Sequence, residues 1–108
     1  DQGHGTHVAG IIAANGGGLT GVAPDATLLA FKALDQSGSG RDSFILAAIE
    51  EAARLRPDIV NMSLGRAAVP DDPVVKAIEN AAAAGILFCV AAGNSGRFLD
   101  IGSPGNAE

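Results

Sequence analysis

The chain has no tryptophan and no tyrosine, and its four aromatic residues are all phenylalanine. Aliphatic side chains and alanine must therefore fill whatever core it forms. A single cysteine, Cys89, excludes an internal disulfide, and its place in an apolar run reads as a small buried hydrophobe. Basic clusters are missing as well: seven Lys and Arg stand against twelve Asp and Glu, for a net charge of −5. That balance argues against a nucleic-acid partner. No apolar run approaches the ~20 residues of a membrane helix, which argues against a membrane span. What remains, 47% hydrophobic and 18% charged residues in a chain of 108, fits one small globular domain and not a disordered segment.

Hydrophobic periodicity orders the chain as helix, strand, helix, strand, helix, strand. Val8 to Ala14 reads as a tightly packed apolar helix with a nearly bare side at Gly10, Ala13 and Ala14. Asn15 to Gly21 reads as a flexible turn, and Thr27 to Leu34 as a buried strand. From Arg41 to Leu55, Phe44, Ile45, Ala48, Ile49, Ala52 and Leu55 recur at helical spacing, and Pro57 ends the helix. Asp58 to Leu64 is the second strand. Asp72 as N-cap and Pro73 at the first helical position open a third helix, with Val74, Val75, Ile78 and Ala81 or Ala82 inward and Gly85 as its stop. Ile86 to Ala92 is a third strand, apolar throughout, and strands of that kind are buried on both faces of a parallel sheet. The architecture expected is α/β, a parallel sheet in three layers with helices on both faces and a Rossmann-like order. Ligands then sit at the carboxyl ends of the strands.

Three patterns carry possible chemistry. His4, between Gly3 and Gly5 at a helix N-terminus, meets the positive end of the macrodipole, which favours the neutral imidazole that a general base requires; it also fits a loop or capping histidine. Gly16, Gly18 and Gly21 form a Gly-x-Gly-x-x-Gly, but it follows a helix and enters a strand, the reverse of a dinucleotide site. Asn94 in Gly93-Asn94-Ser95-Gly96 suits a turn at a strand end as well as a hydrogen-bond donor in a site. His4-x-x-His7 with Asp1 lacks a further convincing zinc ligand, so no metal site is assigned. His7 reads as packed under the first helix, and Asp1 as an exposed loop carboxylate.

Taken together, Gly3-His4-Gly5-Thr6-His7-Val8-Ala9-Gly10, Gly21-Val22-Ala23-Pro24, Asn61-Met62-Ser63-Leu64-Gly65 and Ala92-Gly93-Asn94-Ser95-Gly96 resemble the ordered blocks of the subtilisin-like serine proteases, the subtilases. The likeness covers essentially all of the chain, from the family's catalytic-histidine block to just past its asparagine block. It implies that residues 1–108 are a fragment of one subtilase catalytic domain with a subtilisin-like fold. His4 would be the general base and Asn94 the oxyanion-hole donor. Gly38, Ser39 and Gly40 on one side, and Ser63, Leu64 and Gly65 on the other, would flank an extended peptide. Ala91, Ala92 and Gly93 would join Ser63 to Gly65 around the pocket before the cut, with Ile45 and Leu64 lining an apolar subsite further along.

The resemblance also marks departures. Asp42 stands where many family members carry a larger, often aromatic residue, which makes that subsite more polar. The family's aspartate lies on an earlier strand and its serine opens a helix in a Gly-Thr-Ser-type block; neither block occurs here, and no Ser lies in a Gly-x-Ser-x-Gly elbow. The parent protein is thus expected to be a serine endopeptidase acting on polypeptides, with this stretch inactive alone. Calcium is a cofactor of some relatives, but the turn from Ala14 to Leu19 is shorter than theirs and lacks their run of Asn ligands. The resemblance implies a secreted or extracytoplasmic parent. Open sheet edges imply self-association of the isolated chain. A non-catalytic α/β module that binds peptides or a small ligand is the other reading that the residues allow.

Overall fold

A computed structural model describes residues 2–98 and 100–108, so the expectation for Asp1 lies outside the described residues. The chain divides into two compact units, residues 1–41 and 42–108.

In the first unit, helix α1 (His4–Ala13) starts directly after Gly3, whose φ of 91° is left-handed and costs glycine nothing. The far end of the helix is closed by downstream backbone. Gly21, Val22 and Ala23 donate their N–H groups to the carbonyls of Ala14, Ile11 and Ile12 at 2.7, 3.1 and 2.7 Å. This satisfies acceptors that a helix terminus otherwise leaves open. The approach is so close that a Cβ on Gly21 would lie 2.6 Å from Ala13 and Ala14 backbone nitrogens.

Four expectations fail in this unit. Helix α1 buries none of its residues, and His7 is exposed instead of packed beneath it. The irregular chain that follows is too sparse a layer to cover an apolar helix face. The turn after α1 is not a flexible stretch but a hairpin, β1 (Asn15–Gly16) paired antiparallel with β2 (Leu19–Thr20). Gly17 and Gly18, at φ 58° and 81°, make the two-residue left-handed turn that such hairpins require. Thr27 to Leu34 forms no strand; Leu28 and Leu29 are 47% and 51% exposed. A strand needs a partner for its backbone groups, and no described residue pairs with this segment in a ladder.

The second unit holds α2 (Asp42–Leu55), β3 (Ile59–Met62), α3 (Pro73–Ala83) and β4 (Leu87–Val90). Strands β3 and β4 run parallel, Ile59 beside Leu87 through Met62 beside Val90. Helices α2 and α3 pack together, and their Ile49, Val74, Ile78 and Ala81 close over Met62 and Ile86. Val60, Phe88 and Val90 add to this cluster from the same strand parity. The opposite parity, Ile59, Asn61, Leu87 and Cys89, is exposed. Burial on both strand faces is therefore not what the structure shows, and Cys89 is not a buried hydrophobe: its odd register turns it to the uncovered face. Phe44 and Leu55 are likewise 57% and 44% exposed, because they flank the stripe that faces this narrow sheet.

Local rules hold better at the helix ends. Arg56, at φ 52°, and Pro57 terminate α2. Asp72 caps α3 by accepting from the Val74 N–H, Pro73 opens the helix, and Gly85 leaves it at φ 100°. Of Ala81 and Ala82, only Ala81 is buried. Two substitutions compare the core under the helices with the uncovered strand face. Ile78→Ala, at a site 2% exposed, should cost about 2–5 kcal/mol in urea denaturation of the protein that carries this chain. In the isolated chain, Cys89→Ser should change stability by less than about 0.5 kcal/mol, and Cys89 should react with a thiol reagent in the folded state.

Candidate functional site

In the first unit, His4 is the first residue of α1. It is exposed, and its backbone N–H reaches the Gln2 side-chain oxygen at 3.3 Å. A Cβ at Gly3 or Gly5 would meet nothing within 4 Å. Gly38, Ser39 and Gly40 lie in a turn built by a residue that the motif reading passed over, Asp35. Its Oδ1 accepts from Ser37 Oγ at 2.6 Å and from the N–H groups of Ser37 and Ser39 at 2.8 and 3.1 Å. Gly38 turns at φ 79°, and a Cβ on Gly40 would sit 2.7 Å from the Ala33 carbonyl oxygen. These donors, the Ser37 hydroxyl foremost, hold the Asp35 carboxyl below its ordinary range. The signal was present in sequence as Asp followed by Ser two and four residues on, a pattern that folds back on its own backbone.

The second unit gathers the other residues at the carboxyl ends of β3 and β4. Ser63, Leu64 and Gly65 follow β3; Ala91, Ala92, Gly93 and Asn94 follow β4. The ladder continues one step past the strands through Ala91 N–H to Met62 O at 3.1 Å. Leu64 and Ile45 are half-buried against the core cluster, while Gly65, Ala91, Ala92, Gly93 and Asn94 are exposed. Gly93, at φ 102°, swings the chain outward before Asn94.

Between the two strand exits lies a connection that sequence reasoning missed. Arg66 and Ser103 exchange backbone hydrogen bonds at 2.8 and 2.9 Å, and Gly102 N–H donates to Ala92 O at 3.0 Å. Asp72, only 3% exposed, anchors this bridge. Its carboxylate accepts from the Ser103 hydroxyl, from Val74 N–H at 2.9 Å and from Arg66 Nη2 at 3.0 Å. The same guanidinium reaches Asp42 through Nη2 at 3.0 Å and Nε at 3.3 Å. The Asp42 carboxylate at the start of α2 is thus shared with Arg66. Sequence offered only the cap at Asp72; a hydrogen bond across thirty-one residues to Ser103 leaves no periodic trace.

Burial pushes the Asp72 carboxyl up, but the Ser103 and Val74 donors and the Arg66 charge outweigh it, and the net shift is below the ordinary 3.8. The Asp42 carboxylate is first among the groups that raise Arg66 further. Among the described residues, no group of three or more His, Cys, Asp or Glu gathers as a metal site. The hairpin at 15–20 carries no carboxylate and a single side-chain amide, Asn15, so its residues do not fit a calcium ion.

Because the folded pKa of Asp72 is lowered, its contribution is complete above the unfolded carboxyl range and is lost as pH falls through that range to the folded value. Asp72→Ala should therefore cost on the order of 2–4 kcal/mol at neutral pH. The gap between parent and variant, followed by urea melts from pH 7 downward, should hold to about pH 4–5 and narrow below it.

The subtilase family model (Peptidase_S8) matches residues 1–108. The chain is 47% identical over 109 residues to the minor extracellular protease Epr of Bacillus subtilis, covering 96% of this chain and 16% of that protein. It is 48% identical over 97 residues to subtilisin DY of Bacillus licheniformis, covering 88% of the chain and 35% of the relative. With the major intracellular serine protease of Bacillus subtilis it shares 49% over 99 residues, 88% of the chain and 30% of the relative. The chain thus spans about a third or less of these relatives' length. A match along the whole sequence, with close to half of the residues identical, places this chain in the subtilase family of serine proteases.

Proposed function

We propose that residues 1–108 are part of a single three-layer α/β catalytic domain of a serine endopeptidase, and that they supply its general base and its oxyanion donor. The observation that carries this reading is the order of the blocks along one continuous family match, with His4 opening α1 and Asn94 following β4. In acyl transfer, the serine hydroxyl must lose its proton as it attacks the scissile carbonyl. His4 takes that proton and returns it to the leaving amine. The oxygen of the tetrahedral intermediate becomes negative, and the Asn94 amide donates to it. The aspartate that orients the imidazole and the serine itself come from outside these residues, so the 108-residue chain alone is inactive toward peptides.

The peptide substrate lies extended against backbone, in the manner of an added strand. By the family resemblance, Gly38, Ser39 and Gly40, held in shape by Asp35, are peptide-contacting residues. Ser63, Leu64 and Gly65 are too, and Ala91, Ala92 and Gly93 join Ser63 to Gly65 around the pocket before the cut. Ile45 and Leu64 line the apolar subsite beyond, and Asp42 with Arg66 gives its border a polar character. Relatives named extracellular and intracellular both match the chain; an extracytoplasmic parent is the reading adopted from the broader resemblance. The exposed apolar residues Ile59 and Leu87 on a two-stranded sheet support self-association of the isolated chain.

The full-length protein should label with a fluorophosphonate probe, and His4→Ala should abolish peptide hydrolysis; absence of labelling would favour a peptide-binding module without catalysis. Asn94→Ala should lower kcat by about 10²–10³, a figure that belongs to the equivalent donor in subtilisin. Asp42→Tyr should shift preference in a peptide library toward apolar side chains at the distal subsite. Light scattering of the isolated chain should show mass rising with concentration, whereas a constant monomer mass would remove the self-association proposal.

A further inference from the structure

Asn94 sits in an excursion that leaves β4 at Gly93 and returns at Gly102. Its described residues from Gly93 to Phe98, together with Asp100 and Ile101, are all exposed. Its side-chain hydrogen bonds run inside the excursion, from Ser95 Oγ to the Asp100 carbonyl and from Arg97 N–H to Ser95 Oγ, both at 3.4 Å. Such bonds are long and solvated, and they tie the loop only to itself. Among the described residues, it is fixed to the fold at its mouth. There Gly102 N–H holds Ala92 O at 3.0 Å, two residues before Asn94.

The mouth is in turn held from below. Ser103 is paired in both directions with the Arg66 backbone and is 1% exposed. Its hydroxyl donates to the buried Asp72 carboxylate, which also caps α3 and binds the Arg66 guanidinium. Close backbone approach leaves the mouth no slack. A Cβ on Gly102 would lie 2.7 Å from Arg66 O, and one on Gly105 would lie 2.5 Å from Ala91 O. Gly65, at the exit of β3, faces the same segment, with its virtual Cβ 3.1 Å from Ser103 O. One carboxylate thus registers the N-terminus of α3, the exit of β3 and the return of the Asn94 loop.

We propose that Asp72, Arg66 and Ser103 are positioning residues for catalysis, which set the place of the Asn94 amide by clamping the mouth of its loop. The inference rests on the reading of Asn94 as oxyanion donor. None of the three needs to touch substrate. An oxyanion donor acts only within hydrogen-bond distance of the charge that develops in the transition state, so a small displacement is costly there and nearly silent in substrate binding. A misplacement of about 1 Å can lower the rate up to ~10²-fold. The signature is therefore a fall in kcat with KM retained, and it should disappear once the donor has been removed.

The test is a double-mutant cycle on the full-length protein, at a temperature where urea melts show each variant folded. Ser103→Ala removes one hydroxyl and is the mildest change; Asp72→Asn keeps the shape of the cap while removing the charge. Each should lower kcat about 10-fold or more with KM within about twofold. In an Asn94→Ala background, the same substitutions should lower kcat by less than about twofold, since the group they position is gone. Equal losses in both backgrounds would overturn the inference and leave the oxyanion assignment standing. An unchanged kcat in Ser103→Ala and Asp72→Asn, beside a slow Asn94→Ala, would overturn it as well. If Asn94→Ala itself leaves kcat unaltered, the oxyanion reading fails first, and the positioning role falls with it.

Discussion

A carboxylate taken out of water must find several partners, and the arrangement of residues 42–108 follows from how Asp72 finds them. Its burial would penalise the charge; a backbone donor from its own helix, a hydroxyl from the far end of the chain and a guanidinium from the exit of β3 reverse that penalty. Each partner belongs to a different part of the unit. Satisfying one group therefore fixes three segments relative to one another, which apolar contacts alone would leave free to slide. The apolar cluster under the helices supplies cohesion, and the buried charge supplies register.

This division explains which features could be read in advance. The helices α2 and α3 were visible because their stripes have helical period and their ends carry local punctuation, Pro57 at one and Asp72, Pro73 and Gly85 at the other. The parallel strands were visible as apolar runs, but their exposed parity was not. A run such as Leu87 to Val90 is apolar at every position, so period cannot say which face will be covered. Cys89 was misplaced for that reason. Thr27 to Leu34 is also mostly apolar and forms no ladder, since strand formation depends on a neighbour that composition does not encode. The hairpin at Gly17 and Gly18 was legible in principle, because paired glycines are a known two-residue turn, but three in a row blur which two do the turning.

The candidate site was legible to the extent that it is made of contiguous blocks. His4 at the head of α1 and Asn94 beyond β4 stand where the pattern of glycines and apolar runs put them. What holds those blocks was legible only in part. Asp35 shapes the Gly38 to Gly40 turn through ordinary local hydrogen bonds, and Asp72 reaches Ser103 through contacts far apart in sequence. Asp35 is a near neighbour in the chain of the turn it holds, whereas Asp72 and Ser103 are neighbours only in space.

The way α1 ends has a further consequence for the motions of residues 1–41. The carbonyls of Ile11, Ile12 and Ala14 are engaged by amides of Gly21, Val22 and Ala23 across the hairpin. Fraying of the last helical turn must then release those downstream amides as well, and their escape must loosen the turn. The two stretches should therefore open as one cooperative unit, with matched amide protection, instead of a frayed helix tail beside an independent loop.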